Sequence, residues 1–183
     1  MLTEEQGEEI VRYARKVLES YVRNEDLPEV PNEDFLEEEK GVFVTLNKNG
    51  ELRGCVGLPF PDFPLGEAVK RAAQSAADDR RFPPLKPEGL ESIEIEVTVL
   101  AEPEKVEVEE PEDYLKKIEV GKHGLLIEGQ GNEGLLLPQV PVDQDWNCEE
   151  YLEGLCRKAR LPSQAWRKDY TEIKSFQGQI FKQ

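Results

Sequence analysis

Histidine occurs once in this chain of 183 residues, as His123. That scarcity removes every two-histidine metal motif, H-E-x-x-H and Cys2His2 spacings included. Cysteine occurs three times, at Cys55, Cys148 and Cys156, without a C-x-x-C pair. An odd count in a chain of this length is not a disulfide framework. Cys148 and Cys156 share one predicted helix, about 12 Å apart along its axis, too far to bridge. The longest unbroken run of apolar side chains is three, as in Leu135-Leu136-Leu137, where a membrane span needs about 20. The start, Met1-Leu2-Thr3-Glu4-Glu5-Gln6, has neither the basic region nor the apolar stretch of a secretory signal. Free thiols without a targeting segment read as a cytoplasmic protein. Basic residues are also few, 23 against 39 acidic ones, for a net charge of −16. Affinity for duplex phosphate comes largely from Lys and Arg displacing counterions, so no nucleic-acid partner is expected. The acid excess serves solubility and self-repulsion.

The residues present are sufficient for a core. Area scaling leaves about 9,000 Å² exposed of about 30,000 Å² in the extended chain, enough burial to dispense with disulfides or structural metal. The apolar residues, 38% of the chain, are periodic. Ile10, Ala14, Val17, Leu18 and Tyr21 recur at helical steps over 3–23, with Thr3 and Gln6 at capping-box spacing. Residues 24–40, with Pro28 and Pro31, read as a surface connection holding one helical turn. Val42–Leu46 and Leu52–Leu58 read as strands around Asn47-Lys48-Asn49-Gly50, a hairpin signal. Prolines 59, 61 and 64 break the chain before a small-residue helix over 65–77. Residues 92–99 alternate strictly, with acids on the wet face. Val106 and Val108 predict a short strand, and 111–118 a short helix. A second hairpin is expected over 124–128 and 134–137. Asn147 and Glu150 cap a helix over 148–160, Ser163 caps a turn holding Trp166, and a last strand runs from about 173 to 181. Strands joined as hairpins, with helices between them, make an α+β fold whose central sheet is mainly antiparallel or mixed and flanked by helices. One domain over 1–183 accounts for the length.

Gly129-Gln130-Gly131-Asn132-Glu133-Gly134 matches the dinucleotide pattern G-x-G-x-x-G. That chemistry needs a helix after the glycines to hold the pyrophosphate. A strand closed by Pro138 follows instead, so the glycines belong to a hairpin loop. No cofactor and no metal are expected. His123, in Gly121-Lys122-His123-Gly124, reads as an exposed turn residue, and no G-x-S-x-G elbow accompanies it.

Among the thiols, Cys156 falls on the apolar face of its helix and reads as core. Cys148 lies near that helix's start, which favours a thiolate, but Asp143, Asp145, Glu149 and Glu150 oppose the charge. Cys55 differs. It lies in Leu52-Arg53-Gly54-Cys55-Val56-Gly57 on the second strand of the first hairpin. Alternation puts Arg53 and Cys55 on one face, with Leu52, Gly54 and Val56 on the other. Pairing through a two- or four-residue loop puts Val44 beside Cys55 or Arg53, and Thr45 with Phe43 on the opposite face. Both faces then carry apolar residues, and the hairpin is expected at the centre of the sheet. A guanidinium two residues from a thiol suits a stabilised thiolate, and strand glycines suit close approach of a ligand or backbone. The plainer alternative pairs Arg53 with an acid and packs Cys55 in the core.

Leu52-Arg53-Gly54-Cys55-Val56-Gly57 closely resembles the L-R-G-C-[IV]-G signature of the AMMECR family. Gly41–Leu46 resembles the family's preceding strand, and Asp79-Arg80-Arg81-Phe82-Pro83-Pro84-Leu85 its D-x-R-F-P-P-L turn. Ile93–Val97, Gly134–Val140, Trp146 with Glu149–Leu152, and Ala165-Trp166 follow in the family's order, so the resemblance spans nearly the whole chain. It implies an α+β body with a smaller second lobe and a cleft near the signature. It carries no established reaction. In some bacteria and archaea, relatives are associated with a Memo-like protein and a radical-SAM protein, which implies a shared pathway with such partners.

Two functions compete. In the first, Cys55 is nucleophile or covalent acceptor, Arg53 holds the thiolate or an anionic group, and Gly54 and Gly57 keep the approach open. Its weakness is the absence of an evident base. In the second, a binding or adaptor module, Cys55 is packing. Thr45, Gly54, Gly57, Arg80 of the 80–84 turn and Gln139 of the Gln139-Val140-Pro141 corner would line a ligand pocket. Arg80 and Arg81 have a simpler reading as charges complementing a helix C-terminus.

Overall fold

The computed structural model describes residues 1–183. In chain order the elements are α1 (Glu4–Arg23), β1 (Val42–Lys48), β2 (Glu51–Leu58), α2 (Leu65–Ala77), β3 (Ile93–Leu100), β4 (Glu104–Lys105) and α3 (Tyr114–Lys117). They continue with β5 (Gly124–Gly129), β6 (Asn132–Leu136), α4 (Gln139–Asp143), α5 (Cys148–Lys158), β7 (Thr171–Phe176) and β8 (Gly178–Lys182). Every strand pairing is antiparallel and the class is α+β. The chain divides into two compact units, Met1–Ala101 with Gly178–Gln183, and Glu102–Gln177. No helix is long and apolar enough to cross a membrane.

In the first unit the sheet order is β2-β1-β3-β8. α1 begins where the Thr3 hydroxyl accepts from the Gln6 N–H and the Gln6 side chain accepts from the Thr3 N–H at 2.9 Å, which satisfies two of the free donors of the first turn. It ends at Asn24, whose left-handed φ of 56° closes the last turn. Ile10, Ala14, Val17 and Leu18 of α1 and Val69, Ala72, Ala73 and Ala76 of α2 form one core with Val42, Val44 and Leu46 of β1 and Ile95 and Val97 of β3. Alanines on α2 let its backbone lie close to the sheet. Between α1 and β1, a 3-10 turn over Asp34–Leu36 buries Phe35 and Leu36. The first hairpin turns on Asn49 and Gly50, both at positive φ (54° and 80°), the geometry of a two-residue turn that matches strand twist.

In the second unit the order is β4-β7-β5-β6. α5 starts at a capping box of Asn147 and Glu150 and buries Tyr151, Leu152, Leu155 and Cys156 against Leu125, Ile127 and Ile173. The second hairpin turns on Gln130 and Gly131, at φ 52° and 74°, so the G-x-G-x-x-G glycines serve a turn between strands.

Four expectations are corrected. The Cys55 hairpin is not central, because β2 is the edge strand. The strand expected at Val106 and Val108 forms at Glu104–Lys105. Charged residues hide an edge strand from apolar periodicity, while Val106 turns inward with its N–H bonded to Ile173 O. The last strand is two, β7 and β8, separated by exposed Gln177 and placed in different sheets. Ser163 caps nothing, since the turn over Ala165–Arg167 has Gln164 before it and no side-chain cap.

Candidate functional site

The register of β2 decides what surrounds Cys55. The turn pairs Lys48 with Glu51 and Asn47 with Leu52, and the register then slips so that Leu46 faces Gly54 and Arg53 has no cross-strand partner. Thr45 therefore stands opposite Cys55, and Val44 opposite Val56, which overturns the expected placement of Val44 beside Cys55 or Arg53. The reason is the core. Without an extra residue, the alternation that buries Val42, Val44 and Leu46 would also turn Arg53 and Cys55 toward the helices. One bulged residue instead brings Gly54, Val56 and Leu58 to the helix side and leaves Cys55 on the opposite face with Thr45. The Thr45 hydroxyl donates to Cys55 Sγ at 3.3 Å, and Cys55 is half-buried.

On the free edge of β2 the backbone of Cys55 is held by a side-chain pair. Its N–H donates to Asp79 Oδ2 at 3.0 Å, and its carbonyl accepts from Arg81 Nη2 at 3.2 Å. These two contacts replace what a neighbouring strand would supply. Asp79 is only 8% exposed and also accepts from the Arg81 N–H at 3.1 Å, Nε at 3.0 Å and Nη2 at 2.7 Å. Hydrogen bonding from the Arg81 side chain, opposed by burial and aided by the Cys55 and Arg81 N–H groups, holds the Asp79 carboxyl well below the usual carboxylate range.

Arg53 takes a different part from the one expected. One amino group donates to the Pro83 carbonyl, and its guanidinium carbon lies 5.6 Å from the Phe82 ring centre, as does that of Arg81. Phe82 is a shared aromatic platform for both cations. Arg53 Nη1 is buried without a partner. Arg81 is the guanidinium in contact with Cys55, through the Cys55 carbonyl. Arg80 is exposed. Neither Arg80 nor Arg81 belongs to α2, which ends at Ala77 with Asp78 as its cap and no basic residue in its last turn.

The strand glycines are occupied by the protein itself. A Cβ on Gly54 would strike the Ala76 carbonyl of α2, and one on Gly57 would strike the Phe43 ring and the Val42 carbonyl. Gln139 is the exposed first residue of α4, in the second unit. His123, also there, accepts at Nδ1 from the Glu119 N–H at 3.1 Å, and its carbonyl accepts from the Tyr151 hydroxyl at 3.1 Å. Burial pushes the Cys148 and Cys156 thiols up, so both stay protonated, as befits inert packing groups. No group of three or more His, Cys, Asp or Glu residues is placed to hold a metal ion.

Asp79 and Arg81 are the organising residues that periodicity does not mark. The available signal is the D-x-R spacing of Asp79-Arg80-Arg81, which puts a carboxylate and a guanidinium two residues apart in a turn. As a unit, Thr45, Cys55, Asp79 and Arg81 present a thiol that accepts a hydrogen bond, near a fixed positive charge, on a backbone locked at both its N–H and its carbonyl.

The AMMECR1 family pattern matches residues 11–181. Protein MK0488 of Methanopyrus kandleri is 46% identical over 187 residues, covering 100% of this chain and 90% of that protein. Protein MJ0810 of Methanocaldococcus jannaschii is 45% identical over 186 residues, covering 100% of this chain and 92% of its own length. The crystal structure of uncharacterized protein PH0010 from Pyrococcus horikoshii is similar with a TM-score of 0.82 at 43% identity, covering 100% of this chain and 93% of that one.

Proposed function

Because this chain belongs to the AMMECR1 family, we propose that it works at the segment by which that family is recognised, with Cys55 engaging an electrophilic small molecule or protein group in a modification pathway. The observation that carries this reading is the hydrogen bond from Thr45 to the half-buried Cys55 sulfur. The Thr45 hydroxyl and the Arg81 guanidinium, which binds the Cys55 carbonyl, are the polar groups that hold the sulfur and its backbone in place. The S–H bond breaks as the sulfur bonds to an electrophilic carbon of that molecule, whose π bond opens and whose freed electron pair takes up the released proton through solvent. Asp79 and Arg81 are positioning residues, and exposed Arg80 is free to meet an anionic group on the incoming molecule. Memo-like and radical-SAM proteins, the partners implied by family resemblance, are the first candidates to bring or receive that molecule.

The test is the rate of iodoacetamide alkylation of each cysteine in the folded protein, read by peptide mass spectrometry across pH. Faster labelling of Cys55 than of Cys148 and Cys156 supports the reading. Protection of Cys55 until the chain unfolds overturns it. The alternative is then a non-catalytic binding or adaptor module with Cys55 as a packing residue. It draws on the engagement of Arg53 and Arg81 by the protein's own turn.

A further inference from the structure

Arg53 is the only cation of β2 and meets no carboxylate. The protein's two other half-buried arginines are satisfied. Arg15 donates to the Leu90 and Ile93 carbonyls, and Arg167 to the carboxylates of Glu112 and Glu149. Arg53 has a single acceptor, the Pro83 carbonyl, on Nη2. Its Nη1 is buried with no acceptor at all. A buried charged donor without an acceptor is costly, and a chain with 39 acidic residues has carboxylates in excess. Asp79, the acid of the adjoining turn, is spent on Arg81 and the Cys55 N–H.

The turn itself adds a second observation. Phe82 holds the guanidinium carbons of Arg53 and Arg81 at the same 5.6 Å from its ring centre, and two like charges on one ring repel. Asp79 offsets Arg81, while nothing in the protein offsets Arg53. Pro83 and Pro84 are exposed. The group that occupies Arg53 Nη2 therefore belongs to a surface turn, and an incoming acceptor has one carbonyl to displace.

We propose that Arg53 is the docking group for a carboxylate, which takes Nη1 and Nη2 together in place of the Pro83 carbonyl. A guanidinium offers two parallel N–H donors that match the two oxygens of a carboxylate, whereas the Pro83 carbonyl engages only one amino group. The inference rests on the reading of Cys55 proposed for this site and names the class of its molecule, a small electrophile that carries a carboxylate.

The test compares iodoacetate with iodoacetamide at Cys55 in the folded full chain, at ~0.15 M salt to screen long-range attraction. The two reagents share a reacting carbon and differ by the carboxylate. The ratio of their rates should fall about tenfold in Arg53→Met, and about threefold in Arg53→Lys, which keeps the charge without the paired donors. Lys16→Met makes the same change in net charge on α1 and should keep the parent ratio. A second measurement needs no reaction. Malonate, against chloride at equal ionic strength, should raise the melting temperature of the parent by about 2–4 °C, leave Arg53→Met unmoved, and act more weakly on Arg53→Lys, the variant that serves if Arg53→Met does not fold. If Cys55 resists both reagents while malonate acts through Arg53, the Cys55 reading fails and the carboxylate site stands. No malonate shift in the parent, or the same shift in the Arg53 variants, overturns the proposal, and so, where Cys55 is labelled, does a rate ratio equal in variants and parent.

Discussion

The N–H of Cys55 donates to the buried Asp79 carboxylate at 3.0 Å, joining an edge strand to the turn that follows α2. The same carboxylate accepts from Arg81, which returns to the Cys55 carbonyl. Asp79 is the hub of this loop, and the two residues it joins are unequal. Replacing Asp79 with Ala leaves two N–H donors and a guanidinium without their acceptor. It should cost about 2–3 kcal/mol, measured by urea denaturation. Arg81→Ala should cost less, since the Arg81 side chain is 58% exposed and water can take over part of its role.

The same pair sets a pH dependence. The folded Asp79 carboxyl lies below its unfolded value, so its stabilisation is complete above the ordinary carboxylate range near about 4. It is lost as pH falls from there toward the lower folded value, because protons then favour the unfolded chain. Denaturation midpoints followed from pH 6 downward should drop more steeply for the parent than for Asp79→Asn. Parallel curves would remove Asp79 from the account.

Much of this arrangement is legible in the amino-acid sequence. The capping boxes at Thr3–Gln6 and Asn147–Glu150, the α2 limits and both hairpin turns follow from local chemistry, which acts over three or four residues. Cys55 stands out for the same reason, flanked by glycines within a strand. What escapes a linear reading depends on contacts across the chain. The bulge at Arg53 answers to the need to bury Val42, Val44 and Leu46 beside Gly54 and Val56, a requirement of two strands and a helix together. The exchange of Arg53 for Arg81 beside Cys55 needs the turn after α2 to fold back 26 residues to β2. Neither event leaves a periodic trace.

Thr45 offers a test confined to the thiol. Thr45→Val keeps the shape of the side chain and removes the hydroxyl that donates to Cys55 Sγ. Stability should change by about 1 kcal/mol or less, while alkylation of Cys55 at fixed pH should slow several-fold as the sulfur loses its donor. Thr45→Ser should restore the rate. If Thr45→Val labels as fast as the parent, the hydroxyl has no influence on the thiol.

Gly54 and Gly50 belong to the same hairpin for different physical reasons, and the difference predicts how each tolerates a side chain. A Cβ at Gly54 meets the backbone carbonyl of Ala76, with Asp79 Cβ 3.5 Å away. That carbonyl belongs to the last turn of α2, so Gly54→Ala must move the helix away from the sheet or displace the Asp79 turn. Overpacking of this kind costs about 1–3 kcal/mol, and the upper half of that range is expected because no side chain can rotate aside. At Gly50 nothing lies within 4 Å of an added Cβ, and the constraint is the φ of 80°. Gly50→Ala should therefore cost only about 1–2 kcal/mol, the strain of a left-handed residue. Gly50→Asn should recover part of that loss, because Asn tolerates the left-handed region. Gly54→Asn should instead be worse than Gly54→Ala, since a larger side chain meets the same helix backbone. Urea denaturation of the four variants side by side separates the two causes. A Gly54→Asn variant more stable than Gly54→Ala would mean that α2 does not press on the strand at this point.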